Sequence, residues 1–263
     1  MYGIYIGNNR FLIETSLGER LLAPADDLSV SLNLMLTGVH EAPLTKYLLR
    51  NVRAGQTVID VGANIGYFTV LLGILAGPTG QVIAYEPHPH LYSILLDNLA
   101  INYLHDRTHV FQKAVYSEEK ELTLHIAKRF AGNSSIHRHG SDYFRHYPDE
   151  IIELHVAAEP LSRHLETHPF IDLIKIDIEG GEYHALLGLG PILEKKAVAQ
   201  VVFELNRSML RHDWPFLLEL LHHYEDRFQL SFHSLSEGGE SIPVELDGLL
   251  QSGSNPAVVM KPS

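Results

Sequence analysis

The sequence predicts a single α/β domain whose sheet is mostly parallel and covered by helices on both faces. Three observations carry this expectation. From Thr57 onward, apolar runs of strand length alternate with runs of helical period, the rhythm of repeated β-α units. The segment Val58-Ile59-Asp60-Val61-Gly62-Ala63-Asn64-Ile65-Gly66-Tyr67-Phe68-Thr69 ends an apolar run with an acid and sets two glycines four apart where a helix must begin. An apolar content of 45% over 263 residues supplies a large core.

The elements follow in order. Residues 1–50 read as an N-terminal cap and residues 51–263 as the main domain. In the cap, β-like runs at Gly3 to Ile6 and Arg10 to Glu14 precede helical patterns from Ser29 to Leu36 and from Pro43 to Arg50, with Pro43 at a first helical position. Such a cap can cover a ligand. The main domain opens with Thr57 to Val61 (strand), Tyr67 to Ala76 (helix), Gln81 to Glu86 (strand), Leu91 to Asn102 (helix) and Thr108 to Gln112 (strand). Half-exposed strands at Glu121 to Ala127 and Ile151 to Ala157 then flank a polar insertion, Lys128 to Glu150, whose length marks it as functional or disordered. Apolar strands return at Ile171 to Ile176 and Val198 to Phe203. After them come a helix from Trp214 to His223 and two late strands, Arg227 to His233 and Ala257 to Met260, expected as an antiparallel hairpin at the sheet edge.

Ligands of such sheets bind at the carboxyl ends of the strands. The glycine turn carries Asp60 and lacks the Lys-[ST] pair of a phosphate-binding loop, so it repels pyrophosphate and suits a nucleoside bearing a cationic centre, as in S-adenosylmethionine. The same glycines also suffice for a tight strand-to-helix turn. In Tyr85-Glu86-Pro87, Glu86 lies about 20 residues beyond the turn, where a carboxylate accepts from both ribose hydroxyls. It also suits a partner for the N-terminus of the helix near His88. NAD competes as the nucleotide, but Ala63-Asn64 stand where a further pyrophosphate glycine is needed.

The second chemical signal is Lys175-Ile176-Asp177-Ile178-Glu179-Gly180-Gly181-Glu182, a buried strand running into three carboxylates. Acids gathered there require a cation, a donor network or a proton to move. The next strand brings Glu204 and Asn206 to the same edge. Asp177, Glu204 and Asn206 resemble the magnesium site of catechol-type O-methyltransferases, and an all-oxygen set suits Mg²⁺. The favoured alternative binds no metal and lets Glu179 and Glu182 open the following helix. In the insertion, Asn133-Ser134-Ser135 reads either as a simple turn or as donors to the cofactor or acceptor.

Of 17 histidines, none pairs in a helical metal spacing with a matching acid. His184 alone is kept, as an alternative base. The balance of 20 basic against 32 acidic residues disfavours nucleic acid and suits a small-molecule or glycan acceptor. There is no cysteine, so neither disulfides nor thiolate metal sites are available. The start lacks a signal-peptide pattern and no apolar run reaches membrane-spanning length, so a cytoplasmic protein with no membrane span is expected. Oligomeric state is left open, with a homodimer among the alternatives.

Taken in order, Asp60-Val61-Gly62-Ala63-Asn64-Ile65-Gly66, Tyr85-Glu86-Pro87, Gly132-Asn133-Ser134-Ser135, Lys175 to Glu182 and Glu204-Leu205-Asn206 resemble the FkbM family of S-adenosylmethionine-dependent methyltransferases. The likeness spans roughly Thr45 to Asn206. It implies a class I (Rossmann-like) sheet of seven mostly parallel strands with an antiparallel edge strand. It also implies O-methylation of a hydroxyl on a sugar, glycan or natural-product metabolite; the alternatives are N-methylation of a small molecule and an NAD-binding oxidoreductase. Gly62, Ala63, Asn64 and Gly66 would hold the methionine portion with Tyr67 and Phe68 beside them, Asp60 the ammonium through its network, Glu86 and Pro87 the ribose side, and Ala114 and Val115 the adenine. Asn133, Ser134, Ser135 and Asp177 complete the expected cofactor set. Asp177 or Glu179 is the expected proton acceptor, with Glu182 less favoured. Two departures stand out: Leu161-Ser162 where the family often has Leu-Asp, and Gly181 where alanine is usual.

Overall fold

Parallel β-α units organise the chain, and the computed structural model describes them over residues 2–251 and 256–263. Met1 and residues 252–255, part of the connection before the last strand, lie outside the described residues. The chain begins with β1 (Gly3–Gly7), β2 (Arg10–Glu14) and β3 (Arg20–Pro24), a small antiparallel sheet, followed by α1 (Val30–Thr37) and α2 (Ala42–Asn51). The wound portion contains β4 (Thr57–Val61), α3 (Tyr67–Ala76), β5 (Gln81–Tyr85), α4 (Pro89–Ile101) and β6 (Thr108–Phe111). Then β7 (Ala114–Val115), β8 (Lys120–Ala127), α5 (Ser141–His146) and β9 (Ile151–Glu159) form the middle of the chain. The remainder is β10 (Leu173–Ile176), α6 (Glu182–Leu187), α7 (Gly190–Glu194), β11 (Val201–Glu204), α8 (Arg207–Leu210), α9 (Trp214–Phe228), β12 (Leu230–Leu235), β13 (Ser241–Val244), α10 (Leu246–Gln251) and β14 (Ala257–Pro262).

The main sheet has the order β6-β5-β4-β10-β11-β14-β12-β13. β4, β5, β6, β10 and β11 pair in parallel, whereas β14 runs antiparallel to both β11 and β12. This is the α/β class I methyltransferase architecture expected from the sequence, with one more strand than the seven expected. The reversed β14 sits inside the sheet, and the additional β13 forms the antiparallel edge. Pro243 within β13 disguises it in the sequence, since proline is tolerated only where a ladder hydrogen bond is dispensable.

Alternation along the strands divides the core in two. Ile59 and Val61 face α6, α7 and α9 through Leu186, Ile192, Leu217 and Leu221, while Val58 joins Leu72, Leu95 and Leu48 on the other side. Ile13, Leu21 and Leu34 from the first 50 residues belong to that second core. Other expectations shift locally. Arg227 and Phe228 complete α9, whose buried positions Trp214, Leu217, Leu221 and Tyr224 keep helical spacing, so the strand begins only at Leu230. β8 and β9 leave the main sheet and pair antiparallel with each other, and β9 pairs in parallel with β7 on its other side.

Candidate active site

The register of β4 against β10 sets Asp60 beside Lys175, both fully buried. Lys175 Nζ lies 3.2 Å from Asp60 Oδ1 and 3.7 Å from Asp177 Oδ2, and donates to the Gly62 carbonyl at 3.0 Å. Thr69 donates to Asp60 Oδ2 at 2.6 Å. Burial alone would lower the Lys175 pKa, but Asp60 and Asp177 outweigh it and raise the value above the ordinary one. Lys175 was quoted in the sequence motif without a role. Its signal there was a lone cation inside the apolar strand Leu173 to Ile176.

Directly after β4 the chain turns at Gly62, with φ +78°. A Cβ at this position would stand 1.8 Å from the Asp177 carbonyl oxygen, so the glycine turn and the acidic strand end meet through backbone with no room for a side chain. The amides of Gly62 and Ala63 both donate to the Tyr85 carbonyl, tying the turn to β5. Glu86, 5% exposed, accepts from the Asn64 amide at 2.7 Å and the His88 amide at 2.8 Å. It therefore serves the entry to α4, as one sequence reading held, and also borders the cavity, as the other required. Burial pushes its pKa up to about 7 against these two amides.

The acidic end is organised from its backbone. Glu182, fully buried, accepts from the amides of Ile178 and Gly180 and so ties down the turn that precedes its own helix. Both its oxygens are occupied there, and burial lifts its pKa to about 7. Asp177, Glu179 and Glu204 bring carboxylate oxygens within 4.8 Å of one another. Burial, then Glu204 and Asp177, raises Glu179 well above the carboxylate range, and burial with Asp177 takes Glu204 to about 8. Glu41, at the entry to α2 with φ +44°, joins this field and is pushed up to about 7 by burial and Asp177. The conditional oxygen triad is thus corrected at one position. Asn206 spends its Oδ1 on the Met209 amide and Ser208 hydroxyl at the start of α8 and turns its Nδ2 toward Glu179, leaving Glu179 as the third carboxylate.

A cavity of about 260 Å³ joins these parts. Of the expected cofactor residues, Gly62, Ala63, Asn64, Tyr67, Phe68, Glu86, Pro87, Ala114, Val115, Asn133, Ser134 and Asp177 line it, and Glu179 does so from the acidic end. Asp60, Gly66 and Ser135 do not. Asp60 is consumed by Lys175 and Thr69, Gly66 caps α3, and Ser135 donates its hydroxyl to the Glu179 carbonyl. His184 is also absent from the wall: it stacks on Tyr116 with ring centroids 3.9 Å apart, and its Nε2 shares a hydrogen bond of 2.9 Å with the Tyr116 hydroxyl.

Sequence reasoning missed the far wall, made of Ser29, Val30, His40, Glu41 and Ile136. No local motif marks these residues, because long-range bonds place them. Asp27 accepts from the amides of Ser29, Ser31 and Ala131, and Ser29 accepts from Gly132, so the start of the chain clasps the insertion across the cavity. His40 packs on Tyr67 and Phe68, and burial depresses its pKa to about 4. On the β7 side, Lys113 pairs with the buried Glu159, which also accepts from Tyr85 at 2.8 Å.

Residues 60–228 match the Methyltransferase FkbM domain family, a span from the glycine turn through α9 that contains both charged clusters. The chain belongs to the FkbM methyltransferase family. Two fungal relatives agree with that membership. "Methyltransferase sdnD" of Sordaria araneosa is 26% identical over 191 residues, 64% of this chain and 70% of that protein. "Methyltransferase 1" of Beauveria bassiana is 26% identical over 145 residues, covering 50% of this chain and 57% of that protein. Among solved structures, a TehB-like S-adenosylmethionine-dependent methyltransferase from Corynebacterium glutamicum aligns over 88% of this chain and 94% of its own, at 13% identity and a TM-score of 0.47. As an FkbM methyltransferase the chain uses S-adenosylmethionine as methyl donor. The cavity's chemistry fits this cofactor: its wall combines carboxylates, aromatic rings and a glycine turn.

Proposed function

We propose that the chain is an O-methyltransferase acting on a hydroxyl of a sugar, glycan or natural-product metabolite, with a cytoplasmic setting as part of the same reading. The observation that carries it is the continuity of one cavity from Glu86 and the glycine turn to Asp177 and Glu179. In this reading Glu86 takes the ribose hydroxyls on its free lone pairs, Ala114 and Val115 border the adenine, and the backbone of Gly62 to Asn64 lies along the methionine portion. Asp177, held by Lys175, faces the cofactor ammonium or the acceptor.

Bound S-adenosylmethionine would supply an activated methyl group for in-line transfer, its C–S bond giving way to a C–O bond on the acceptor with S-adenosylhomocysteine as the leaving group, and a carboxylate of the wall would take the acceptor's proton. Glu179 suits that last step, because its crowded surroundings favour its protonated form. An amine acceptor is the second reading, favoured by the excess of carboxylates over cations in the wall. S-adenosylhomocysteine release should be followed across a panel of sugars, glycosides, hydroxylated aglycones and amines. Release with hydroxyl acceptors, reduced at least about 100-fold in kcat by Glu179→Gln with cofactor affinity changed less than about threefold, is expected. Release with amines alone would replace O- by N-methylation, and a fully active Glu179→Gln would move the proton acceptor elsewhere.

A further inference from the structure

A second polar cluster lies on the outer side of the acidic turn, away from the cavity, and the methyl-transfer chemistry does not use it. Asp213, 4% exposed, stands at the entry to α9, where a carboxylate normally accepts from the first helical amides. It makes no such bond. Its oxygens point instead to three imidazoles: Oδ2 is 3.3 Å from His137 Nε2 and 3.4 Å from His184 Nε2, and Oδ1 is 3.4 Å from His212 Nε2. Oδ2 has no hydrogen-bond partner, which is costly for a buried carboxylate.

We propose that His137, His212 and Asp213 form a binding site for a zinc-class divalent metal ion. Ligand atoms of His137, His212 and Asp213 all lie within 4.8 Å of one another. Metal–ligand bonds of roughly 2.0–2.1 Å in tetrahedral geometry place donor atoms about 3.3 Å apart, and the two imidazoles of the set stand at comparable distances from the carboxylate, His137 Nε2 3.3 Å from Oδ2 and His212 Nε2 3.4 Å from Oδ1. Mixed imidazole and carboxylate donors select zinc and its neighbours rather than Mg²⁺.

The site joins three distant stretches of chain. His137 belongs to the insertion, His212 and Asp213 to the joint between α8 and α9, and His137 Nε2 touches the Gly180 carbonyl at 3.1 Å. Gly180, at φ +104°, leaves no space for a side chain: a Cβ there would stand 2.4 Å from the Met209 carbonyl oxygen. An ion here staples the insertion and the α8–α9 joint to the back of the turn that carries Asp177 and Glu179.

The test uses untagged full-length protein stripped with a chelator and titrated with Zn²⁺ by calorimetry, then with Co²⁺ by visible absorption. One equivalent of Zn²⁺ and the absorption bands of low-symmetry Co²⁺ are expected. His137→Gln and Asp213→Asn should weaken Zn²⁺ at least about 100-fold and the exposed His212→Gln about 10-fold, with Glu204→Gln unchanged. Limited proteolysis within residues 128–150 should slow on adding Zn²⁺. The absence of a stoichiometric site, its survival in both His212→Gln and Asp213→Asn, or its loss in Glu204→Gln would overturn the proposal. His212 is a surface side chain, so its replacement reports on binding without threatening the fold.

Discussion

The two acids that flank Lys175 belong to very different neighbourhoods. On the Asp60 side charge meets countercharge: Lys175 Nζ stands 3.2 Å from Oδ1, the Thr69 hydroxyl donates to Oδ2, and the turn's amides are taken by the Tyr85 carbonyl. On the Asp177 side, Glu41, Glu179 and Glu204 crowd Asp177 and raise one another's proton affinity. One half of the site is complete in paired charge and the other is held in tension. A binding surface for an invariant cofactor can be finished in advance, whereas a group that must accept a proton cannot be fully satisfied beforehand. The contrast supports the proposed reading, in which the first half holds the cofactor and the second does the chemistry.

The contact between the halves is the place to break this arrangement first. Gly62→Ala would drive a Cβ to 1.8 Å from the Asp177 carbonyl at a positive φ, so both the turn and the acidic strand end must move. A loss of about 4 kcal/mol or more in unfolding free energy is expected, with no measurable cofactor binding in calorimetry. Near-native stability would show that the turn relaxes more easily than its packing implies. Lys175→Met comes next. It leaves Asp60 buried without its cation, and a cost of roughly 3–5 kcal/mol in urea unfolding is expected. The double replacement Lys175→Met with Asp60→Asn should recover much of that loss; failure to recover would place the main role of Lys175 with Asp177.

Glu86 probes the completed half alone. Glu86→Ala removes the acceptor of two backbone amides and the proposed ribose contact, so cofactor affinity should fall about 10- to 100-fold. Turnover at saturating cofactor should change far less. A variant with normal affinity but lower stability would reduce Glu86 to a partner of α4.

The completed half is also the half that was legible in the sequence. Gly62, Glu86 and the strands around them form one local order of acid, glycine and apolar residues, and each β-α unit fixes the next by a short connection. The charged strand end was legible as a concentration of acids, but not its partners. That Lys175 faces Asp60 depends on the register of strands more than 100 residues apart in sequence. His40, Glu41 and Ser29 reach the cavity through bonds such as Asp27 to Ala131, which no periodicity announces. The His137–Asp213 cluster escaped for the same reason, since its members share no spacing along the chain. Proline hid β13, and β3 is a five-residue run with arginine and proline at its ends.

The tension in the acidic half should appear in stability against pH, the smallest of these effects. Glu41, Glu86 and Glu182 have folded values near 7 and Glu204 near 8, all above the ordinary 4.5. The folded chain therefore keeps protons that the unfolded chain releases, so these groups favour folding below about pH 4.5 and lose that contribution as pH rises toward 8. His40 and His88 act in the opposite sense. Their folded values near 4 lie below 6.5, so stability is lost as pH falls from 6.5 toward 4. Above about pH 6.5 only the carboxylate slope remains, and stability should decline to about pH 8. Glu204→Gln removes the largest shift among these four carboxylates, and should gain on the order of 1 kcal/mol over the parent near pH 8 with little change near pH 5. Urea midpoints at the two pH values decide this. Parallel curves would mean that Glu204 is relieved by solvent or a bound cation, and that the second half of the site is less strained than its carboxylates imply.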